Sequence, residues 1–376
     1  MESRSERYAS RSRHRLVALS VVTFAVMMVA AQVQSTLAAS STTSFKIVKL
    51  VGSKGSGAKK KDARMVNAWG TAFIAAAATP FWVNDEGTGD SELIDGKGKI
   101  FKALPFVTVP GASGGTGKPT GIVGNATGLF PIPGGTSADF IFATDDGTIA
   151  GWNSGTSATT IVNNSTTASY TGLALAANML YAANHKAPGS IDVFDANFNP
   201  ISTTGGFSDP SLPAGFTPYN ITALGDSLFV AYSEGTQAVG QVDEFDTEGN
   251  LIMSFTDPSL DEPWGLTLAP SQFGTFSNDL LVGNLGDGTI SVFNPANGEF
   301  LGQLEAKKSK PLVISGLWSL VDGTGAMNAK ANAVYFTAGP AGYTEGLFGM
   351  IQAGSAAKKT TSTPMPGPYT LMPGMM

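Results

Sequence analysis

Six amide or carboxylate side chains fall at matching places along this sequence: Asn67, Asp85, Asp145, Asn184, Asn220 and Asn284. Asn67 and Asn220 open apolar runs, while Asp85, Asp145, Asn184 and Asn284 close them, as in Phe81-Trp82-Val83-Asn84-Asp85. Oxygens of this kind, if brought together, suit a hard cation such as calcium, which takes about 6–8 oxygen ligands. A cation held so could polarise a carbonyl for hydrolysis. The same side chains also cap strand ends and turns. His185, in Asn184-His185-Lys186, follows one of these runs and is a further candidate for the same place. It has no Gly-x-Ser-x-Gly elbow beside it of the kind a serine nucleophile uses. The chain has no Cys, which excludes disulfides, thiolate zinc sites and cysteine nucleophiles.

The elements that position these residues are repeated. Matching positions at 70, 121, 172, 220, 265 and 319 lie 45 to 54 residues apart. Each unit has short apolar runs separated by Gly, Asp-Gly or Asn-Gly turns, the pattern of a four-stranded antiparallel meander. The Asp146-Gly147-Thr148-Ile149 and Asp287-Gly288-Thr289-Ile290 segments read as tight hairpins. Glycine is abundant (46 of 376 residues) and charge is sparse (14%), as expected of strands buried on both faces. One such sheet cannot bury two faces alone, but units of about 50 residues packed round an axis can. The expected fold is all-β: a six-bladed β-propeller of four-stranded antiparallel blades. Phe45-Lys46-Ile47-Val48-Lys49-Leu50 has strand character and should close the ring against the last blade. In that fold the six candidate residues and His185 would lie near one mouth of the central channel. Trp69, Trp264 and Trp318, at matching inner-strand starts, would serve inter-blade packing or stack on a ligand.

The repeat resembles the NHL type of propeller unit. More widely, the chain from about Asn67 to Ile351 is similar to a family of secreted, mainly bacterial six-bladed propellers known as conserved hypothetical proteins. The resemblance is carried by Val66-Asn67-Ala68-Trp69-Gly70, by Phe140 to Ile149, by Phe194 to Pro200, by Pro263 to Pro270, by Leu281 to Ile290 and by Tyr335 to Pro340. It implies the fold and brings no activity with it. Some members have a C-terminal membrane-sorting segment, and the last residues of this chain are not apolar enough to match it. The first repeat also departs from the Glu-Gly-Pro-type opening of metal-dependent lactonases, since it reads Asn67-Ala68-Trp69-Gly70.

Outside the repeats, basic residues Arg11, Arg13 and Arg15 precede an apolar run from Leu16 to Ala31, the pattern of a secretory signal covering residues 1–38, with an uncleaved membrane anchor as the alternative reading. That segment holds five Arg and two Glu of the chain's 23 basic and 29 acidic residues, leaving 18 and 27 and a net charge of −9. Arg64 is then the one remaining Arg and His185 the one remaining His, a set poorly suited to phosphate backbones, so nucleic acid is not an expected partner. Residues 39–66 read as the closing strand and an exposed Gly/Lys loop, 67–353 as the propeller, and 354–376 as a disordered tail. Asn125, Asn163, Asn164 and Asn220 begin glycosylation sequons, which matter only in a eukaryotic source. Together these features predict a secreted monomeric binding module for an extracellular protein or polysaccharide. The alternative is a calcium-dependent, lactonase- or esterase-like hydrolase with its site at the channel mouth.

Overall fold

A computed structural model describes residues 43–354 apart from 236, 237 and 308. The signal segment and tail expected from the sequence lie outside the described residues. Six antiparallel sheets follow one another round a ring. Blade 1 runs from the inner strand Ala68–Ala72 through Phe81–Asp85 and Asp90–Ile94 to the outer Phe106–Thr108. Blades 2 to 5 repeat this order from inner strands Pro119–Gly124, Tyr170–Ala176, Thr217–Leu224 and Pro263–Leu268. Blade 6 has Leu317–Asp322, Ala333–Ala338 and Leu347–Ala353, and its fourth strand is Phe45–Gly52 from the start of the described chain. That strand pairs antiparallel with the last one, Phe45 opposite Ala353 and Gly52 opposite Leu347. The closure expected from sequence is therefore present, and it covers an edge that would otherwise template association.

The turns form for local reasons. Gly147 and Gly288 adopt φ of +80° and +75° in the two Asp-Gly connections, and Asp287 caps the second by accepting from the Thr289 N–H at 2.8 Å. The third strands of blades 3 to 5 end on Phe followed by Asp or Asn, and Asp195 and Asp246 accept the amide hydrogens two and four residues on. The Asn199 and Asn250 side-chain amides, together with those backbone bonds, hold both carboxyls below the usual carboxylate range. The loop after the closing strand departs from expectation. Ser53 and Ser56 are buried, because Ser53 exchanges hydrogen bonds with the Gly346 backbone and Lys60–Lys61 lies parallel to the closing strand.

One irregularity recurs in all six blades. The register between first and second strands slips at Trp69-Gly70, Thr120-Gly121, Thr171, Tyr219, Trp264 and Trp318-Ser319. These are β-bulges, which bend the strand and re-aim a side chain. Beside the bulge, Gly70, Gly121, Gly172 and Gly265 let neighbouring blades approach closely. A Cβ on Gly70 would stand 2.2 Å from the Thr120 carbonyl oxygen, and one on Gly121 would stand 2.6 Å from the Leu173 nitrogen.

Candidate functional site

The bulged residues decide the shape of the channel. Trp69 and Trp318 stack with ring centroids 3.7 Å apart, and Trp264 stands edge-on to them at 6.4 and 5.9 Å. Tyr219 meets Trp318 edge-on at 6.0 Å, and Leu285 completes the cluster. Trp264 donates its Nε1–H to the Thr171 carbonyl at 3.2 Å, so blades 1, 3, 4, 5 and 6 meet through these side chains. Contacts among so many blades are possible only on the axis. The tryptophans thus plug one end of the channel, with 8% exposure for Trp69 and less for the other two. Their role is packing across the axis. Trp82 and Trp152 pack elsewhere, against Phe140 between blades 1 and 2.

Behind the plug the channel widens into a cavity of about 440 Å³. Trp264 and Asn220 lie at its deep end, and Phe73, Gly124, Leu224 and Thr324 frame it at the far ends of the inner strands. Its walls alternate small or apolar residues with hydroxyls such as Thr71, Thr222 and Thr267. Asp322 is the one charged residue lining it, and its Oδ1 accepts from the Thr324 N–H and Oγ1–H at 2.9 and 2.8 Å. No His lines it.

The residues singled out from sequence lie on the plugged side, but each answers to its own neighbours. Asn67 accepts from Trp318 Nε1 at 2.8 Å and donates to Glu86 at 3.1 Å, at φ +50°, which Asn tolerates. Asn220 donates to the Trp264 carbonyl at 2.7 Å, beneath the plug. Asp145 accepts from Ser169 Oγ at 2.5 Å, and Asn184 accepts from the Ser169 N–H at 3.1 Å, so these two share one loop. Asn284 donates to Ser259, Thr289 and Ser291 and accepts from the Asp261 N–H within blade 5. Asp85 is fully buried in blade 1, and neither of its carboxylate oxygens has a hydrogen-bond partner. Inner-strand starts and second-strand ends do share a face, as the Ala68–Asp85 and Pro263–Asn284 pairs show. The second strands stand one strand spacing, about 4.8 Å, farther from the axis. The set is therefore distributed round the face, five of its members in separate hydrogen-bonded groups and the Asp85 carboxylate without a partner.

His185 packs against Tyr219 with ring centroids 4.8 Å apart, so it touches the flank of the plug. Its Nδ1 lies 2.8 Å from Thr217 Oγ1, and burial holds the imidazole below its ordinary pKa. Ser169 gives its hydroxyl hydrogen to Asp145, and its carbonyl accepts from the His185 backbone N–H at 2.9 Å, so its Oγ is not paired with the imidazole. A hollow of about 480 Å³ beside His185 is also lined by Asp145, Asp146 and Lys186. Of the sequons, Asn163 is exposed. The Asn125 amide is buried and donates to the Leu129 and Ala138 carbonyls at 2.9 and 2.7 Å, and Asn220 is buried as described. Asn164 is half-buried and donates to Tyr170 Oη at 2.8 Å.

Sequence reasoning missed Tyr219 as a member of the plug, and it missed Asp90 and Glu92 on the same face as Asp85. The signal for the acids was available. Asp90-Ser91-Glu92 places two carboxylates on one face of a strand whose neighbours demand burial on both faces.

No protein-family model matches the chain. Among solved structures, a structural-genomics protein of unknown function from Bacteroides thetaiotaomicron aligns with a TM-score of 0.51 at 9% identity, covering 82% of this chain and 76% of that one. That likeness is one of fold. Virginiamycin B lyase from Staphylococcus aureus aligns with a TM-score of 0.49 at 13% identity, over 82% of this chain and 99% of that chain. In sequence, the uncharacterized protein R648 of Acanthamoeba polyphaga mimivirus is 30% identical over 333 residues, 82% of this chain and 80% of its own length. The uncharacterized protein L690 of the same virus is 30% identical over 315 residues, 77% of this chain and 81% of its own length. The chain belongs to the family of uncharacterised proteins that includes R648 and L690.

Proposed function

We propose that this protein is a secreted propeller of NHL-like repeats that binds an uncharged group of an extracellular polysaccharide or protein in the open end of its channel. The supporting observation is the 440 Å³ cavity behind the tryptophan plug. Its size falls within the usual range for ligand sites, roughly 300–1,000 Å³. Its single carboxylate is already capped by Thr324, and its hydroxyls and backbone groups suit hydrogen bonding to a neutral ligand. A nucleophile with a paired base is what acyl transfer would need, and the lining supplies none. Trp264 at the deep end provides the assay, since neutral oligosaccharides entering the cavity should alter its fluorescence. Ala223→Trp, which fills the cavity from its wall, should abolish that change while leaving the melting temperature within about 2 °C. Binding that survives Ala223→Trp would sink the assignment. Secretion is tested by the N-terminal sequence of the mature protein, where retention of Arg11 to Arg15 would argue against it.

A second reading is a calcium-dependent, lactonase- or esterase-like hydrolase on the plugged face. It draws on the hollow beside His185, where Asp146 Oδ1 is buried without a partner. Esterase activity that requires calcium and falls with Asp145→Asn or Asn284→Ala would favour it. A protein inert to both calcium and EGTA in that assay would remove it.

A further inference from the structure

The outer edge of the ring, at the place where it closes, carries a charge that neither the plug nor the cavity explains. Ten of the chain's 23 basic residues fall in two short segments, 46–64 and 97–102, with Asp62 as the one acid among them. The first segment is the closing strand and the loop that follows it, and the second connects the third and fourth strands of blade 1. The fold joins them. Lys60 Nζ donates to the Lys97 and Gly98 carbonyls at 2.9 and 2.8 Å, and a Cβ on Gly98 would stand 2.9 Å from that of Leu50. Lys49 and Lys61 are likewise held in place by the Ser56 and Lys54 carbonyls, at 2.8 and 3.1 Å. The nearby acids are turned to the backbone instead. Asp62 accepts from the Arg64 N–H, Asp95 from the Lys97 and Lys99 N–H groups, and Glu345 from the Gly55 N–H. Arg64 is engaged too, lying over the Phe106 ring and 3.8 Å from Asp90. None of the nine lysines makes an ion pair among the described residues.

We propose that this edge is a docking surface for an acidic polysaccharide, whose carboxylate or sulfate groups pair with the lysines. Like charges gathered so closely repel one another, and an anionic chain lying across them would remove that repulsion. Lys60, Lys99 and Lys102, with Ile100 and Pro105, line a hollow of about 570 Å³, so the surface is shaped as well as charged. Phe101, in the same connection, is 40% exposed and offers an aromatic ring to the apolar face of a sugar. Lysines are compact point charges on flexible stems, suited to anionic groups spaced along a pliant chain. Duplex nucleic acid fits less well, because the forked phosphate pairing that Arg provides is absent while Arg64 is engaged. A bilayer surface is flat and would not enter the hollow. The choice of a polysaccharide rests on the extracellular reading proposed above, whereas the basic edge itself does not. This hollow shares no lining residue with the channel cavity.

The test measures binding of the full chain to polygalacturonate and to dextran sulfate by calorimetry, with neutral dextran, a short DNA duplex and phosphatidylserine vesicles in parallel. The expected result is binding of an acidic polysaccharide, carboxylated or sulfated, and none of neutral dextran. That binding should weaken by about ten-fold or more between 50 and 300 mM sodium chloride, because exposed charges are screened. Lys99→Gln combined with Lys102→Gln should weaken it by a similar factor while leaving the melting temperature within about 2 °C, since both side chains are exposed and unpaired. Lys186→Gln, an exposed lysine on blade 3, should bind as the wild type does. Ala223→Trp, which fills the cavity, should also bind normally, so a failure of the channel assignment is told apart from a failure here. The mature N-terminal sequence tests the extracellular reading separately. Binding of neither acidic polysaccharide, binding untouched by the double variant, or binding lost in Ala223→Trp would each overturn the proposal. Tighter binding of the duplex or of the vesicles would do so too, and would assign the edge to nucleic acid or to a membrane.

Discussion

Residues in this propeller that look alike in sequence have different duties once their neighbours are known. Asn67 and Asn220 are fixed at the plug, whereas Asn284 ties a loop to blade 5. Asp243, in the third strand of blade 4, is buried with Oδ2 unpartnered. Burial pushes its carboxyl up to about 6, against the Gln241 amide that donates to Oδ1 at 2.8 Å. Because the folded value lies above the ordinary 3.8, the folded state favours the protonated form. The associated stability is fully present below about pH 4 and is lost as pH rises towards about 6. Asp243→Asn should therefore be more stable than wild type at pH 7 by on the order of 1–2 kcal/mol, with the gap closing near pH 4. Urea denaturation at several pH values checks this. Trp318 is the opposite case, since its removal leaves Trp69 without its stacking partner and Asn67 without its donor. Trp318→Ala should cost about 3–5 kcal/mol by denaturant midpoint, and Trp318→Phe distinctly less.

At the scale of elements, the repeated bulge links sequence to channel. The Gly beside it is needed because the next blade's backbone lies where a side chain would be. Gly121→Ala should cost about 1–3 kcal/mol through overpacking. Gly115→Ala should be nearly neutral, because a Cβ there meets nothing within 4 Å and its φ is ordinary. Equal losses at the two positions would refute the close-approach account. The closing strand makes a second prediction. Without Phe45–Gly52, the Leu347–Ala353 strand becomes an open edge. A chain beginning after Gly52 should melt less cooperatively and associate in size-exclusion chromatography, whereas the full chain should not.

For the whole molecule, the plug makes the two faces of the ring unequal. One face carries His185 and the amides and carboxylates singled out from sequence, most of them engaged in holding loops and the plug. The other opens into a pit formed by the inner strands of all six blades, with Asp322 its one charged lining residue.

The sequence by itself determined the number of blades, the antiparallel meander in each, the Asp-Gly hairpins and the closing strand. Those features depend on apolar runs, turn residues and a repeat of about 50 residues, all legible within a short window of chain. It also held the twin acids Asp90 and Glu92, visible as a violation of a buried strand pattern. Only the tertiary structure decided that Trp69, Trp264, Trp318 and Tyr219 meet on the axis, that Asn184 and Asp145 share a loop, and that Asp85 and Glu92 are buried without a hydrogen-bond partner. Each of those depends on a bulge or a closure that fixes the distance between blades far apart in sequence. A one-residue slip in register would send the same side chains elsewhere.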